Sequence, residues 1–483
     1  MRKTAPTELP ESPVDFGPLS NGEFLPLEPT TRERAAEREV HDSAEHHGRR
    51  LGLSRREFLR TPAGMAAALL ALNGTSACRP YRVTPATVAD PDAARHAVGG
   101  TEFIFDCQTH HVDATEGAAW TRANAPYYDL FRQVSESQEC GRAGSLACLA
   151  RETYAHEIFV ASDTDVALLS GVPASRGMNP LGNDEIRATR DLITQLGGKG
   201  RLLAQGVVYP NGGPDALDDM QSLEEEMHVV GWKVYTPWGP TGLGFWLDDP
   251  AVGLPFLERV RRSSTRIVFC HKGLPWPIWD GKYASPRDIG PVARQYPDLT
   301  FVVYHSGFDP SAEEGPFDRD GKGVDRLIQS CAQNGIGKGK NVYAELGGTW
   351  AVLLRKPDQA VHVLGKLLRH FGEDRILWGT DALFVGVPQP QIEAFRAFQI
   401  PPEMQERWTY PPLTPSARAK ILGLNAARLF GVQPEARRHR LARDPLALRR
   451  EDPRMRGPLR TMGYGPRSSV EYFTQLEQRG LRP

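Results

Sequence analysis

Eight short apolar runs recur along most of this chain, and each is followed by a polar stretch long enough to form a helix. Valine, isoleucine, leucine and aromatic residues dominate the runs, which is typical of strands that are buried on both faces of a parallel sheet. The alternation therefore predicts an α/β protein. The runs span residues 103–110, 165–171, 201–210, 231–238, 266–273, 299–307, 341–348 and 375–382, and the helical candidates between them include 184–196, 215–229, 254–262, 324–334 and 359–371.

The number and spacing of the runs predict a (β/α)8 barrel of the TIM type over residues 101–432. The first and last runs begin 272 residues apart, which is close to the roughly 250 residues typical of this fold. A doubly wound open sheet is the alternative, and a glycine-rich phosphate loop after the first strand would favour it. The first run instead ends in DCQTH at residues 106–110, which contains no glycine. We therefore expect a barrel.

The composition excludes several classes of protein. The 483 residues include 58 Lys and Arg against 59 Asp and Glu, so no net field attracts nucleic acid or an anionic membrane. Six cysteines are too few for a disulfide scaffold, and no apolar run reaches the roughly 18 residues of a membrane span. Cys140 and Cys148 follow the first run and are candidates for one disulfide in an exported protein.

A twin-arginine motif precedes the predicted barrel. Residues 1–53 are rich in Pro, Glu, Arg and His and lack an apolar period, so we expect them to be mostly disordered. The sequence SRREFLR at 54–60 and the small apolar stretch at 65–72 resemble a twin-arginine export signal over residues 54–78. This interpretation predicts a periplasmic or exported protein that engages the twin-arginine export machinery. An amphipathic surface helix in a cytoplasmic protein is the alternative.

Two segments follow the eighth run. Residues 416–431 are predicted to form a closing helix that ends at Gly431. Residues 433–483 are rich in arginine and are expected to form a tail that either wraps the surface of the barrel or stays flexible.

Histidines and carboxylates stand at the ends of five predicted strands. They are His110, His271 and His305 on the first, fifth and sixth strands, Glu345 on the seventh and Asp381 on the eighth. Active sites of such barrels form at the C-terminal ends of the strands, so we expect these side chains to converge. Imidazole nitrogen and carboxylate oxygen are the usual ligands of Zn²⁺ and also suit Mn²⁺. The pattern therefore predicts a site for one divalent metal ion.

Side chains alternate along a strand, which predicts the residues that face the centre of the barrel. Cys107 and Cys270 are expected to point away from the centre and to pack as inert thiols. Three sets of residues each share a face with a strand-end histidine: Asp106 and Gln108 with His110, Ile267 and Phe269 with His271, and Phe301 and Val303 with His305.

Taken together, four motifs and the closing helix resemble the amidohydrolase superfamily. The likeness is to the amidohydrolase-2 branch, which includes aminocarboxymuconate semialdehyde decarboxylase and related aromatic acid decarboxylases, and it covers roughly residues 101–432. The motifs are FDCQTHH at 105–111, FCHKG at 269–273, YHSG at 304–307 and RILWGTD at 375–381.

The resemblance implies a set of metal ligands and an acid or base beside them. Members of the family bind one divalent ion through a first-strand His-x-His pair, a fifth-strand His and an eighth-strand Asp. Carried over, His110, His271 and Asp381 are ligands of Zn²⁺ or Mn²⁺, and His305 is the acid, base or substrate-polarising residue. Gln108 takes the place of the first histidine, and a neutral amide binds a metal more weakly. A metal-poor binding barrel is therefore an alternative.

The leading hypothesis is a metal-dependent hydrolase in which activated water attacks a C–N or C–O bond of a small molecule and Asp381 transfers the proton. The alternative is a metal-dependent decarboxylase of an aromatic or enoic acid, which the same residues would serve. Lys233 is expected to pair with substrate or with Asp106, and a carboxylated metal-bridging lysine is the alternative. Assembly into a homo-oligomer is left open. The substrate-binding candidates are Lys233, Trp238, Arg176 and Glu345.

Overall fold

Parallel strands occupy all eight of the predicted apolar runs, and the α/β fold class is confirmed. One barrel strand is split at Gln205 into β3, which pairs with β2, and β4, which pairs with β5. The strands are β1 (Phe105–Thr109), β2 (Val166–Leu169), β3 (Leu202–Ala204), β4 (Gly206–Val207), β5 (Trp232–Tyr235), β6 (Ile267–His271), β7 (Thr300–Tyr304), β8 (Val342–Glu345) and β9 (Ile376–Leu377). The computed structural model describes residues 12–18, 20, 24–123, 128–129, 131–132, 146–174, 178–239, 242–274, 279–435, 443, 445–450, 466 and 468–478.

The strands are hydrogen-bonded in the order β1-β2-β3 and β4 to β9. Backbone hydrogen bonds then join β1 to the segment that follows β9. The amide of Cys107 donates to the carbonyl of Trp378 at 3.0 Å, and the amide of Asp381 donates to the carbonyl of Gln108 at 2.9 Å. These bonds complete the ring of a (β/α)8 barrel and bring the ends of its first and last strands together.

Helices alternate with the strands and cover the outside of the barrel. Short 3-10 turns include His305–Gly307, directly after β7, and Glu373–Arg375, directly before β9. The helices around the barrel are Ala119–Ala123, Arg151–Phe159, Asn183–Gln195, Met220–Met227, Gly253–Arg262, Ile289–Gln295, Val324–Gln333, Thr349–Leu353, Pro357–Phe371, Pro388–Ala397 and Pro402–Trp408.

A compact apolar cluster fills the interior of the barrel, and it corrects one predicted side-chain direction. Six strands contribute to it, including Phe105 and Cys107 from β1 and Tyr304 from β7. Cys107 therefore points inward, contrary to the prediction. The pairing register of β1 against β2 shifts between Asp106 and Thr109, and such a bulge changes which residues face inward. Asp106 consequently does not share the face of Gln108 as strict alternation would require.

The N-terminal region contradicts the prediction of disorder over residues 31–51. Helix α1 (Thr31–Leu51) begins with a capping box between Thr30 and Glu33, and it buries a narrow stripe of Ala36, Val40, Ala44 and Gly48. These small residues recur every fourth position and so lie along one face of a helix. The low mean hydropathy of the segment concealed this stripe, because charged residues occupy all the other faces.

The twin-arginine segment forms two helices that are part of the fold. They are α2 (Arg55–Leu59) and α3 (Pro62–Thr75), and α3 is buried along most of its length, where it packs against α1 and against α5 (Pro91–Val98). A short helix, α4 (Pro85–Ala89), precedes α5. Within the described part of the chain, no helix combines the length and the apolar character needed to cross a bilayer.

The C-terminal segments pack on the barrel where they are described. The predicted closing helix is present as Pro415–Ala419 and Asn425–Leu429, joined by one π-helical turn at Lys420–Leu424. In the tail, the described helices are Pro445–Arg450 and Ser469–Gln478, and Leu446 is buried in the main core. Cys148 is disulfide-bonded, and its predicted partner Cys140 lies outside the described residues.

Candidate active site

One part of the site joins the end of β1 to the segment after β9. Asp381 Oδ1 lies 3.1 Å from His110 Nε2 and accepts a hydrogen bond of 3.0 Å from Gln108 Nε2. His110 Nδ1 lies 2.7 Å from the carbonyl oxygen of Ser170, which can only accept, so the ring proton is on Nδ1. The lone pair of His110 Nε2 therefore faces the carboxylate of Asp381.

A second part of the site joins the ends of β6 and β7. His271 Nδ1 lies 3.3 Å from His305 Nε2. The outer nitrogens of both rings meet backbone carbonyls: His271 Nε2 is 3.3 Å from Leu274 O, and His305 Nδ1 is 2.7 Å from Gly347 O. The Gly347 carbonyl holds the proton of His305 on Nδ1, so the lone pair of His305 Nε2 faces the ring of His271.

Gly348 links the two parts. A Cβ added to Gly348 would lie 3.1 Å from Asp381 Oδ2 and 3.1 Å from His305 Nδ1. The absence of a side chain at this position lets the carboxylate and the imidazole approach the same point. The structure therefore brings together the four strand-end residues His110, His271, His305 and Asp381, as the sequence predicts. The backbone conformation that directs the side chain differs among them.

Left-handed backbone conformations, rather than strand alternation, direct the side chains of His305 and Asp381, whose φ values are +60° and +63°. Val302 and Tyr304 of β7 belong to the interior cluster, whereas Phe301 and Val303 pack in the outer layer. His305 would follow Phe301 and Val303 outward, but its φ is +60° and the φ of Ser306 is +51°. The prediction that His305 shares the face of Phe301 and Val303 is therefore wrong, because this turn carries the imidazole into the site.

Burial keeps the three imidazoles neutral. It lowers the pKa of His110 and of His305 to about 3, and the neighbouring Lys233 ammonium contributes to both shifts. The pKa of His271 is also lowered, first by burial and then by His305 and Lys233. Neutral imidazoles with their lone pairs directed inward are the form of histidine that binds metals.

Lys233 lies inside the barrel below these side chains. It is fully buried, and its ammonium nitrogen is 3.4 Å from the ring centroid of Tyr304 and 4.6 Å from that of Tyr235. Aromatic faces attract a desolvated cation at these distances. The predicted alternative partner, Asp106, accepts hydrogen bonds from Thr380 Oγ1 at 2.5 Å and from the Thr380 amide at 3.0 Å.

Glu345, a predicted substrate-binding residue, contacts the backbone of the site in this structure. Its side chain is fully buried, and its two oxygens accept hydrogen bonds from backbone amides, from His305 at 3.1 Å and from Gly347 at 2.6 Å. Burial raises the pKa of Glu345 to about 8, and the Asp381 carboxyl adds to this effect. Burial also raises the pKa of Asp381.

The donor set fits a divalent cation. The lone pair of His110 Nε2 faces Asp381 Oδ1 at 3.1 Å, and the lone pair of His305 Nε2 faces the ring of His271 at 3.3 Å. Gln108 Oε1 is buried without a hydrogen-bond partner. Among the residues that the structure describes, no three His, Cys, Asp or Glu side chains are arranged as a complete metal site.

Trp238 and Arg176 are the remaining predicted substrate-binding residues. Trp238 is half-buried, stacks edge-on against Tyr209 with ring centroids 5.1 Å apart, and lines a cavity of about 800 Å³. Arg176 falls within residues 175–177, outside the described residues. The cavity lies near the C-terminal ends of β4 and β5, and its described lining includes Asp113, Asp215 and Asp219 but no Lys, Arg or His.

Sequence reasoning missed the groups that orient the site. The backbone carbonyls of Ser170, Leu274 and Gly347 contact the outer nitrogens of the three histidines. Every residue has a carbonyl, so the sequence does not show which carbonyls make these contacts. Gly379 makes room for Glu345, since a Cβ there would lie 1.7 Å from Glu345 Oε1. The glycines that follow Glu345 and that precede Asp381 were the available signal.

Comparisons with known proteins identify the family. Residues 180–432 match the family described as Amidohydrolase, and no curated protein is detectably similar in sequence. Among solved structures, a probable 2-pyrone-4,6-dicarboxylic acid hydrolase from Acinetobacter baumannii is 16% identical, with a TM-score of 0.40 over 68% of this chain and 99% of that one.

Two further solved structures have a similar level of likeness. A 2,6-dihydroxybenzoate decarboxylase from Rhizobium is 17% identical, with a TM-score of 0.42 over 69% of this chain and 99% of that one. An amidohydrolase from Burkholderia multivorans with bound zinc is 15% identical, with a TM-score of 0.43 over 68% of this chain and 100% of that one.

Proposed function

Since this chain belongs to the amidohydrolase family, we propose that it is a metal-dependent hydrolase that cleaves a C–N or C–O bond of an uncharged small molecule. The observation that carries the proposal is the orientation of the three buried imidazole rings. Three buried histidines have their outer nitrogens held by backbone carbonyls, and their inner nitrogens face Asp381 or each other. Such an arrangement favours a cation at the centre.

His110, His271 and Asp381 would hold the ion, Zn²⁺ or Mn²⁺, with Gln108 Oε1 as an additional oxygen ligand. The bound ion would supply a water molecule that ionises near neutral pH and a positive charge beside the scissile bond. The charges support the assignment: Asp106, Glu345 and Asp381 are three buried carboxyl groups, and Lys233 is the buried ammonium among them.

Asp381 and His305 would carry out proton transfer and polarisation of the substrate. Asp381 stands between His110 and the Gly348 position, where it can accept a proton from water and return it to the leaving group. His305 presents its imidazole from the opposite side, where it can polarise the substrate carbonyl. All four residues are at most 3% exposed, so bulk water is excluded and these electrostatic interactions are strengthened.

The wall of the neighbouring cavity favours hydrolysis over decarboxylation. A decarboxylase must bind a carboxylate, which requires a cation or a dense set of donors. Of the described residues that line the 800 Å³ cavity, several are Asp and none is Lys, Arg or His. The carboxylates of this wall support an uncharged ester, lactone or amide as the substrate.

Product analysis tests the proposal. The protein, loaded with Zn²⁺ or with Mn²⁺, would be incubated in ¹⁸O-water with a panel of esters, lactones, amides and aromatic acids. We expect one ¹⁸O atom in the acid product of an uncharged substrate. Release of CO₂ from an aromatic or enoic acid without ¹⁸O incorporation would establish the decarboxylase instead. The Asp184→Asn variant, which changes a fully exposed carboxylate, is the control for Asp381→Asn.

A further inference from the structure

We infer that Glu345 is a positioning residue that sets the orientation of His305, an inference that rests on the proposed function for its catalytic consequence. The carboxylate of Glu345 reaches two backbone segments at once. Its Oε2 accepts from the His305 amide at 3.1 Å, and its Oε1 accepts from the Gly347 amide at 2.6 Å. One side chain of β8 therefore ties the turn after β7 to the turn after β8.

The turn that Glu345 holds is conformationally costly. His305, Ser306 and Gly307 have φ values of +60°, +51° and +73°. A non-glycine residue with positive φ is disfavoured by contacts of its Cβ, and it persists where its surroundings hold it. Without an acceptor at its amide, His305 could return to an extended conformation and continue the outward side of β7, away from Asp381.

Further hydrogen bonds also join the turn after β7 to β8 and to the segment that follows β8. Ser306 Oγ donates to the carbonyl of Glu345 at 2.7 Å, and Thr349 Oγ1 donates to the carbonyl of His305 at 2.7 Å. His305 Nδ1 then donates to the carbonyl of Gly347 at 2.7 Å. Gly347 is thus held by Glu345 through its amide and holds His305 through its carbonyl, so Glu345 acts on both the backbone and the ring of His305.

Space for the carboxylate is provided by two glycines, one after β8 and one after β9. A Cβ at Gly379 would lie 1.7 Å from Glu345 Oε1, and one at Gly347 would lie 2.6 Å from the same atom. Replacement of Gly379 by alanine would therefore displace the Glu345 carboxylate without changing Glu345 itself. This offers an independent way to disturb the same contact.

The test compares Glu345→Gln with a matched buried carboxyl, Glu314→Gln. A glutamine replaces one of the two carboxylate oxygens by an NH2 group, which only donates, so either the His305 or the Gly347 amide loses its acceptor. We expect kcat to fall about 10- to 100-fold with little change in KM, and Gly379→Ala to do the same. Glu314 is also buried and accepts from the Val324 amide and from Lys366, so Glu314→Gln should alter stability but not kcat.

A double-variant cycle separates positioning from a direct contact with substrate. If Glu345 acts through His305, the variant His305→Ala/Glu345→Gln should be no slower than His305→Ala alone. Losses that multiply in the double variant would overturn the inference, because Glu345 would then act independently. A wild-type kcat in Glu345→Gln would overturn it as well.

Hydrogen exchange gives a readout that does not depend on turnover. Peptides that contain His305 and Gly347 should exchange faster in Glu345→Gln than in the wild type. In Glu314→Gln the same peptides should exchange at the wild-type rate. Should the wild-type protein hydrolyse nothing, the proposed function fails while exchange still decides the positioning role. Unchanged exchange at both amides would refute that role whatever the activity.

Discussion

At the residue scale, the site is organised by two close contacts between side chains. His110 and Asp381 approach to 3.1 Å, and His271 and His305 approach to 3.3 Å. Backbone carbonyls contact the outer nitrogens of all three rings, so the inner nitrogens are directed into the site. A cation held there would contact several of these groups, which is why removal of a single donor should have a large effect.

We expect His271→Ala and Asp381→Ala each to abolish hydrolysis, because one removes a ligand and the other removes both a ligand and the proton carrier. Steady-state kinetics and circular dichroism on each variant provide the measurement, and the fold should be retained. His96→Ala, which changes an exposed histidine on α5, should be fully active. Wild-type turnover in either site variant would contradict the roles assigned here.

Gln108 is expected to bind the ion only weakly in the proposed metal site. Replacement by histidine should tighten the binding of Zn²⁺, because imidazole is a better ligand than a neutral amide oxygen. Competition titration with a chromogenic chelator measures the change in Kd for wild type and Gln108→His. An equal Kd for the two proteins would mean that Gln108 does not contact the ion.

At the scale of elements, the N-terminal helices are joined to the barrel by hydrogen bonds after α3. Asn73, within α3, makes two hydrogen bonds with the backbone of Tyr81, at 2.7 and 3.0 Å, and so holds the segment that follows α3. The Tyr81 hydroxyl donates to the carbonyl of Leu354 at 2.5 Å, and Ser76 Oγ donates to Asp358 at 2.6 Å. Cleavage near Cys78 would therefore remove a helix that fills part of the core, so we expect the segment to be retained.

Asn73→Ala tests how strongly this layer is coupled to the barrel. The substitution leaves the amide and the carbonyl of Tyr81 buried without their partner, which costs about 1–3 kcal/mol of unfolding free energy. Urea denaturation, monitored by tryptophan fluorescence, gives the value. Gln221→Ala, at an exposed position, should change it by less than about 0.5 kcal/mol. Equal midpoints for the two variants would show that the layer is not coupled.

Export by the twin-arginine route remains a proposal, and paired arginines elsewhere in the chain provide its control. Arg55 and Arg56 are exposed on α2, so replacing both by lysine should leave the fold intact and prevent export. Arg49→Lys/Arg50→Lys, at the exposed end of α1, should be exported normally. Cell fractionation with mass analysis measures both location and retention of the segment. Wild-type protein found only in the cytoplasm would refute the proposal.

At the scale of the whole molecule, metal binding and folding should be linked, since the ligands come from β1, β6 and the segment after β9. A ligand that binds only the native state stabilises it by about 2.7 kcal/mol when its free concentration is about 100-fold above Kd. Chelation should therefore lower Tm, and restoration of Zn²⁺ or Mn²⁺ should recover it. Elemental analysis of the same samples measures the bound ion. Less than about a tenth of an equivalent of ion, together with a Tm that chelator does not change, would favour the metal-poor binding barrel.

The number and order of the strands could be predicted from the sequence, because burial on both faces of a parallel strand leaves a continuous apolar run that is local in the chain. The same local signal located His110, His271, His305 and Asp381 at strand ends. Their directions could not be predicted in the same way. Alternation assumes regular strands, and β1 contains a shift of register while His305 turns through a positive φ.

The sequence by itself therefore determined the architecture of this protein and the identities of the groups that meet at the end of its barrel. Tertiary structure alone decided how those groups face one another, because contacts between distant residues control it. Glu345 holds the amide of His305 from 40 positions away, and Gln108 meets Asp381 across 273 positions. Neither contact leaves a periodic trace in the chain, just as the helical stripe of α1 left none in its composition.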